Sequence, residues 1–147
     1  MPNFHLPPYR VESVTLALSE TIDWGLTLLR VPPLWRQSQG EGLKVAVLDT
    51  GWDVDHPDLR ESVAASADFT GSRRGPRDGN GHGTHVAGVI AARKNDTGIV
   101  GVAPLCRLLI AKVLDDEGSG DEASIVAGID WALQQGADVL SMSFGSR

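Results

Sequence analysis

One short run of residues constrains the fold of this 147-residue chain more than any other feature. Residues 43–48 are Leu-Lys-Val-Ala-Val-Leu, mostly apolar and partly β-branched, and they lead directly into Asp49-Thr50-Gly51. Such a run is typical of a strand buried on both faces of a parallel sheet. We therefore predict a central strand with a carboxylate at its carboxyl end, the edge where open α/β folds place their sites.

The rest of the chain alternates between helix and strand patterns. Isoleucine and leucine recur every four residues after position 121, as on one face of a helix, and Gly136 is a natural stop for that helix. The predicted order is strand, helix, strand, helix, strand, over residues 43–48, 82–93, 107–114, 121–135 and 138–144. Right-handed crossovers then give an α/β fold of three layers, α/β/α, with a parallel sheet.

Two further segments have their own patterns. Val31-Pro32-Pro33-Leu34-Trp35 suits a short helix, because proline is tolerated in a first turn, and Leu34 and Trp35 are expected to face inward. Residues 60–81 contain several glycines among charged side chains, which predicts a long surface loop.

Composition excludes several classes of function. The formal net charge is −6 and no Lys/Arg-rich run is present, so nucleic acid is not an expected partner. Cys106 is the single cysteine, which excludes an intrachain disulfide and four-thiolate metal sites. The sequence contains no signal-peptide pattern and no apolar run of membrane-spanning length. We expect a reducing, cytoplasmic setting without membrane contact.

Asp49 and His82 are the candidate catalytic residues. An aspartate that ends a strand is by itself explained as well by turn chemistry. His82 opens a predicted helix between glycines, and a helix N-terminus disfavours a charged imidazole, so this histidine is suited to accept a proton. We expect His85, three residues later, to be a buried, hydrogen-bonded structural histidine.

Together these residues resemble a known family. Five segments, in order, are similar to the amino-terminal half of a subtilisin-like serine protease: Val45–Gly51, His56–Leu59, Gly81–Gly88, Gly101–Pro104 and Ser141–Gly145. The resemblance implies that residues 21–147 are the amino-terminal portion of a peptidase domain acting on polypeptides. It also implies that Asp49 is the triad aspartate and His82 the general base, in the chain order Asp, His, Ser.

The resemblance further implies a cleft in which an extended peptide pairs with two segments. The substrate-binding residues it indicates are Leu114, Gly118, Ser119, Gly120, Ser143, Phe144 and Gly145. The acidic run Asp115-Asp116-Glu117 suggests a preference for basic residues at the nearest subsites. From the residues alone, Gly118-Ser119-Gly120 is equally a flexible turn that caps the next helix.

A structural calcium site is implied in the same way. Its oxygen ligands would be the side chains of Asp58 and Asn95 and the carbonyls of Arg93, Thr97 and Ile99. The alternative for residues 93–99 is a polar loop that terminates a helix.

Residues 1–20 form a predicted extension whose Leu6-Pro7-Pro8-Tyr9 resembles the motif of the intracellular branch of the subtilisins. In that branch a short extension covers the cleft, so we expect self-inhibition, relieved by cleavage within residues 15–21. Proline locks φ and removes a donor, which makes such a segment hard to cut. The alternative is a disordered tail. The same resemblance implies a homodimer.

The family's nucleophilic serine and oxyanion-hole asparagine have no counterpart among the 147 residues. We expect a truncated fold that is not a competent protease by itself. Two other interpretations stay open: an inactive peptide-binding fragment or pseudoenzyme, and a zinc metallohydrolase using the carboxylates and histidines near positions 53–58 and 82–85.

Overall fold

The computed structural model describes residues 3–10 and 19–146. Its elements, in chain order, are β1 (Asn3–His5), α1 (Trp24–Leu28), a 3₁₀ helix (Pro32–Arg36), β2 (Lys44–Asp49), β3 (Val63–Asp68), α2 (His82–Ala91), β4 (Arg107–Lys112), β5 (Ser119–Asp121), α3 (Glu122–Gln134) and β6 (Val139–Met142). Four of the strands form a sheet in the order β3-β4-β2-β6, and every neighbouring pair in it is parallel. The predicted parallel sheet is confirmed.

Strand β2 lies inside this sheet and carries the core on both of its faces. Its residues 45–49 are all buried. On one face, β2 and β4 pack against α2 around Val45, Val47, Ala87, Ala91, Leu108 and Ile110. On the other face, the same two strands pack against α3 around Ala46, Leu48, Ala111, Val113, Ile125 and Ala132. The three-layer α/β/α prediction is therefore confirmed, because one helix covers each face.

The predicted helices begin and end close to the expected residues. Asp121 caps α3 by accepting a hydrogen bond from the Ser124 amide, which satisfies one of the free donors of the first turn. Gly136 follows the helix with a φ of +76°, a conformation that favours glycine.

Two expectations about the fold were wrong. Residues 60–81 are not wholly a loop, because β3 joins the edge of the sheet beside β4. Its residues Val-Ala-Ala-Ser-Ala-Asp are small and only half-buried, with a register shift after Val63, so they lack the apolar signal of a central strand. Leu34 does not face inward, since it is 53% exposed, whereas Trp35 donates a hydrogen bond to the Val102 carbonyl.

The described part of the extension, residues 3–10, begins with a strand that pairs with the rest of the chain. Strand β1 pairs antiparallel with β5 in a separate two-stranded sheet. Phe4 and Leu6 pack against the cluster that lies under α3. Residues 3–9 are therefore docked on the domain. Within residues 3–10 and 19–146, the helices are all too short or too polar to cross a membrane.

Candidate active site

Asp49 and His82 are brought together at the carboxyl end of β2. The His82 Nδ1 atom lies 2.8 Å from Asp49 Oδ1 and 3.0 Å from Asp49 Oδ2. The Asp49 side chain is 1% exposed and that of His82 is 14% exposed. Asp49 Oδ1 also accepts a hydrogen bond of 2.8 Å from the Thr50 amide. With Nδ1 committed to the carboxylate, Nε2 is the ring nitrogen that can accept a proton.

The close approach of α2 to the end of β2 depends on two glycines. A Cβ at Gly83 would lie 2.3 Å from the Gly51 carbonyl oxygen. Gly51 itself has a φ of +110°, which favours glycine, and a Cβ there would lie 2.4 Å from the Pro76 carbonyl oxygen. The Gly83 amide donates to Thr50 Oγ1, so the first turn of α2 is fixed directly to the turn after Asp49.

Asp78 holds the start of α2 against the turn after Asp49, and its role was not predicted from the sequence. Its carboxylate accepts hydrogen bonds from the amides of Asn80, Gly81 and Thr84 and from the hydroxyls of Thr50 and Thr84. Burial alone raises the pKa of Asp78, but these hydrogen bonds outweigh it and hold the pKa below its ordinary value. An aspartate a few residues before a predicted helix start was the available signal.

The predicted substrate edges hold the extension in the structure. His5 and Gly145 exchange two backbone hydrogen bonds, of 3.0 and 3.2 Å. The Leu6 amide donates to the Gly118 carbonyl at 3.0 Å, while Phe4 and His5 pair with Gly120 and Ser119. An extended segment thus lies between the two edges, which is the geometry of strand addition.

Two aromatic side chains of the extension contact the predicted site residues, one at Phe144 and one at His82. The Phe4 ring meets the Phe144 ring edge-on at 6.1 Å, next to buried Leu114. The Tyr9 ring lies 5.4 Å from the His82 ring, and its hydroxyl donates to Asn80 Oδ1 at 2.7 Å. Of the predicted cleft residues, Ser143 directly precedes Phe144 after β6.

The acidic run beside the cleft is largely committed to internal contacts. Asp115 accepts from the Glu117 and Ser119 amides and so shapes the turn. Asp116 pairs with Lys112 at 2.7 Å. Glu117 is therefore the exposed member of the run. One carboxylate, rather than three, supports the suggested preference for basic residues at the nearest subsites.

The predicted metal ligands lie in one loop and the turn beside it. Asp58 is 3% exposed; its Oδ1 accepts from Asn95 Nδ2 at 2.9 Å and its Oδ2 from the Ile99 amide at 3.4 Å. The Asn95 side-chain oxygen accepts from the Thr97 amide and hydroxyl. Glu20, which the sequence analysis did not select, accepts from the Asn95 amide at 3.0 Å.

One expectation about a histidine was wrong, and one of the open interpretations loses support. His85 is exposed and not buried, because it lies on the solvent side of α2. Among residues 3–10 and 19–146, no three side chains of His, Cys, Asp or Glu converge in a way that could hold a metal ion. The zinc interpretation therefore lacks a ligand cluster in the part of the chain that the structure describes.

Comparisons with known proteins agree with the geometry. The subtilase family model matches residues 40–147. An intracellular serine protease of Paenibacillus polymyxa is 47% identical over 145 residues, covering 96% of this chain and 44% of the relative. The major intracellular serine protease of Bacillus subtilis is 43% identical, covering 95% and 46%. Thermitase of Thermoactinomyces vulgaris is 43% identical, covering 83% and 44%. The chain spans less than half the length of these relatives.

Replacing Asp78 tests its role at the start of α2. Because its pKa is lower in the folded than in the unfolded state, the carboxylate stabilises the fold above its ordinary pKa, and the contribution is lost as pH falls through the folded value. Asp78→Asn should lower the free energy of unfolding by about 1–3 kcal/mol near neutral pH, and the difference should shrink below about pH 4. Urea unfolding measures both, with the exposed Asp130→Asn as the matched control. A difference that stays constant with pH would contradict this role.

Proposed function

Since this chain belongs to the subtilase family, we propose that Asp49 and His82 are the acid and base members of an Asp-His-Ser triad in a serine endopeptidase. The observation that carries the proposal is the hydrogen bond between the buried Asp49 carboxylate and His82 Nδ1. The reaction is hydrolysis of peptide bonds in polypeptides, and the nucleophile is a serine hydroxyl that meets His82 Nε2.

Each residue has a separate task in this mechanism. Asp49 accepts a hydrogen bond from the Nδ1–H group of His82, which fixes the tautomer of the ring and stabilises the imidazolium that forms. His82 Nε2 takes the proton of the serine hydroxyl as that oxygen attacks the peptide carbonyl. The same proton passes to the leaving amine as the peptide bond breaks, and water then hydrolyses the acyl-serine with His82 again acting as the base. Gly83 and Asp78 act through the position of His82.

The cleft edges fit an extended polypeptide. The backbone groups of Gly118, Gly120 and Gly145 already pair with a strand of this chain, so the same groups can pair with a substrate. Phe144 and Leu114 offer an apolar contact to the side chain that takes the place of Phe4. Specificity would then rest in part on an apolar substrate side chain at the position that Phe4 occupies in the extension.

Replacing His82 tests the triad assignment. In the complete gene product, His82→Ala should lower kcat for a peptide substrate by about 10⁴-fold or more, because the serine loses its base. Labelling by a serine-directed phosphonate probe should be lost in parallel. His85→Ala is the matched control, since His85 is on the same helix but exposed, and it should keep both signals.

The same experiment distinguishes the main alternative. A gene product that binds an extended peptide but neither hydrolyses it nor reacts with the probe would be a peptide-binding protein, and the endopeptidase proposal would fail. Equal loss in both histidine variants would contradict the assignment of the base to His82.

We also propose that residues 1–20 are an inhibitory extension, with Leu6, Pro7, Pro8 and Tyr9 as its central part. Support comes from its position between both cleft edges and from the Tyr9 ring over His82. Two adjacent prolines supply no amide donors, so the segment next to His82 cannot pair as a substrate would. The proposed cleavage segment, residues 15–21, lies mostly outside the described residues, which resume at position 19.

Removing the extension tests this regulation. Deletion of residues 1–18 from the complete gene product should raise kcat/KM for a peptide substrate by about tenfold or more, because substrate no longer competes with a tethered strand. Adding a synthetic peptide of residues 1–18 in trans should restore inhibition at sufficient concentration. A peptide of the same composition in scrambled order is the control. Unchanged activity on deletion would overturn the proposal.

We further propose a structural calcium site formed by Asp58, Asn95 and the carbonyls of Arg93, Thr97 and Ile99. The residues fit: a buried carboxylate and an amide side chain lie within 2.9 Å of each other, in a loop whose carbonyls add further hard oxygen donors. Turning the Asn95 amide would bring its oxygen toward Asp58. Glu20 adds a second carboxylate beside the loop. Bound calcium would stabilise the contact between loop 93–99 and the residues that follow position 20.

Calcium titration tests the site. Free calcium at a hundred times the Kd of the site should raise the free energy of unfolding by about 2.7 kcal/mol. A chelator should reverse this increase in stability. Asp58→Asn should abolish the calcium-dependent part, whereas Asp53→Asn, in the same acidic turn, should keep it. An equal calcium response in both variants would contradict the assignment.

We infer an intracellular location for this polypeptide. Support comes from two of its relatives, whose names describe them as intracellular serine proteases. The single cysteine, Cys106, is buried and free, which is compatible with a reducing compartment.

A further inference from the structure

A fully buried lysine contacts the turn that follows Asp49. Lys112, the last residue of β4, is 0% exposed. Its Nζ donates to the Thr50 carbonyl at 2.5 Å and to Asp116 Oδ1 at 2.7 Å. Thr50 is the residue after Asp49, so the ammonium touches the turn that carries the triad aspartate. A buried charge needs such partners, and an ion pair with one buried member is weak evidence for a gain in stability.

Asp116 connects this lysine to the segment before His82. Its Oδ1 accepts from the Gly79 amide at 3.2 Å, and its backbone carbonyl accepts from Asn80 Nδ2 at 3.0 Å. The Lys112 hydrogen bond holds the pKa of Asp116 below its ordinary value, although partial burial opposes this. Exposed Arg74 adds a pair at 3.6 Å, which contributes little.

Position 79 is shaped around this carboxylate. A Cβ at Gly79 would lie 2.4 Å from both Cγ and Oδ2 of Asp116. Gly79 does not have a positive φ, so its backbone conformation does not by itself require glycine. The close approach of Asp116 accounts for the glycine here.

We propose that Lys112 and Asp116 are positioning residues that hold the peptide-binding edge of the cleft in register with His82. The loop 115–118 leads directly into Ser119–Asp121, the edge strand, while Gly79 and Asn80 lead into His82. One ion pair therefore joins the turn after Asp49, the segment before His82 and the edge on which a peptide lies. This inference rests on the proposed function for its catalytic consequence, but the mechanical link itself does not require hydrolysis.

Hydrogen exchange of the complete gene product tests the link. Asp116→Asn keeps the shape of the side chain and removes its charge. We expect amide exchange at Gly79, Gly120 and Leu6 to become about tenfold faster, because one charge-assisted contact holds these segments together. Amides of β2 and β4 should keep their rates. Asp130→Asn is the matched control, since it makes the same change at an exposed position.

Gly79→Ala provides a second route that changes no charge. The added Cβ displaces the Asp116 carboxylate, so it should reproduce the exchange pattern of Asp116→Asn at Leu6 and Gly120. Gly88→Ala is its control, because a Cβ there meets only Ile99 Cδ1 at an ordinary 3.6 Å. This variant also carries the test if Asp116→Asn does not fold.

The catalytic consequence has its own readout. In both test variants, kcat/KM should fall more for a tetrapeptide amide, which lies along the edge strand, than for a single-residue ester, which does not reach it. Unchanged exchange, or an equal increase across β2 and β4, would overturn the positioning role. If the wild-type protein does not hydrolyse peptides but the two variants show the local change in exchange, the proposed function is refuted and the positioning link is supported.

Discussion

The structure depends on the approach of α2 to the carboxyl end of β2. A parallel strand buried on both faces fixes the position of Asp49 through its own sheet pairing, and the Asp49 carbonyl accepts hydrogen bonds from the amides of Val113 and Leu114, the two residues that follow β4. The helix must then come close enough for a direct hydrogen bond from His82. Gly83 permits this, since any side chain at that position would collide with the Gly51 carbonyl. The core packing and the candidate chemistry thus share one constraint.

The sequence predicted the parts of the molecule in which local pattern and tertiary packing agree. The apolar run of β2, the small-residue helix α2 and the four-residue period of α3 each carry a signal that the fold uses directly. Strand β3 was missed because an edge strand of small, half-buried residues has no apolar signature. His85 was misjudged because spacing on a helix tells which residues share a face but not which face the core covers.

The supporting residues of the site were harder to predict than the pair itself. Asp78, Lys112 and Asp116 act through contacts between segments up to 62 residues apart, as for Lys112 and Thr50. Nothing in the local pattern distinguishes Lys112 from an exposed strand-end lysine. The acidic run shows the converse, since its first two carboxylates satisfy internal donors that the sequence does not reveal. A motif identifies the groups that react, whereas the fold determines which charges remain free to meet a ligand.

The cleft edge has one set of backbone donors and acceptors, so the proposed peptide binding and the proposed inhibition depend on the same groups. Gly118 and Gly145 pair with the extension, and on the proposed function a substrate would need the same backbone groups. A tethered strand has the advantage of a high effective concentration, so it needs no greater intrinsic affinity than a free peptide to occupy the edge. A change that makes this edge more mobile would weaken the binding of the extension and of a peptide alike. On the proposed function, the rigidity of loop 115–118 would set the strength of inhibition and of substrate binding together, and neither could be tuned there without changing the other.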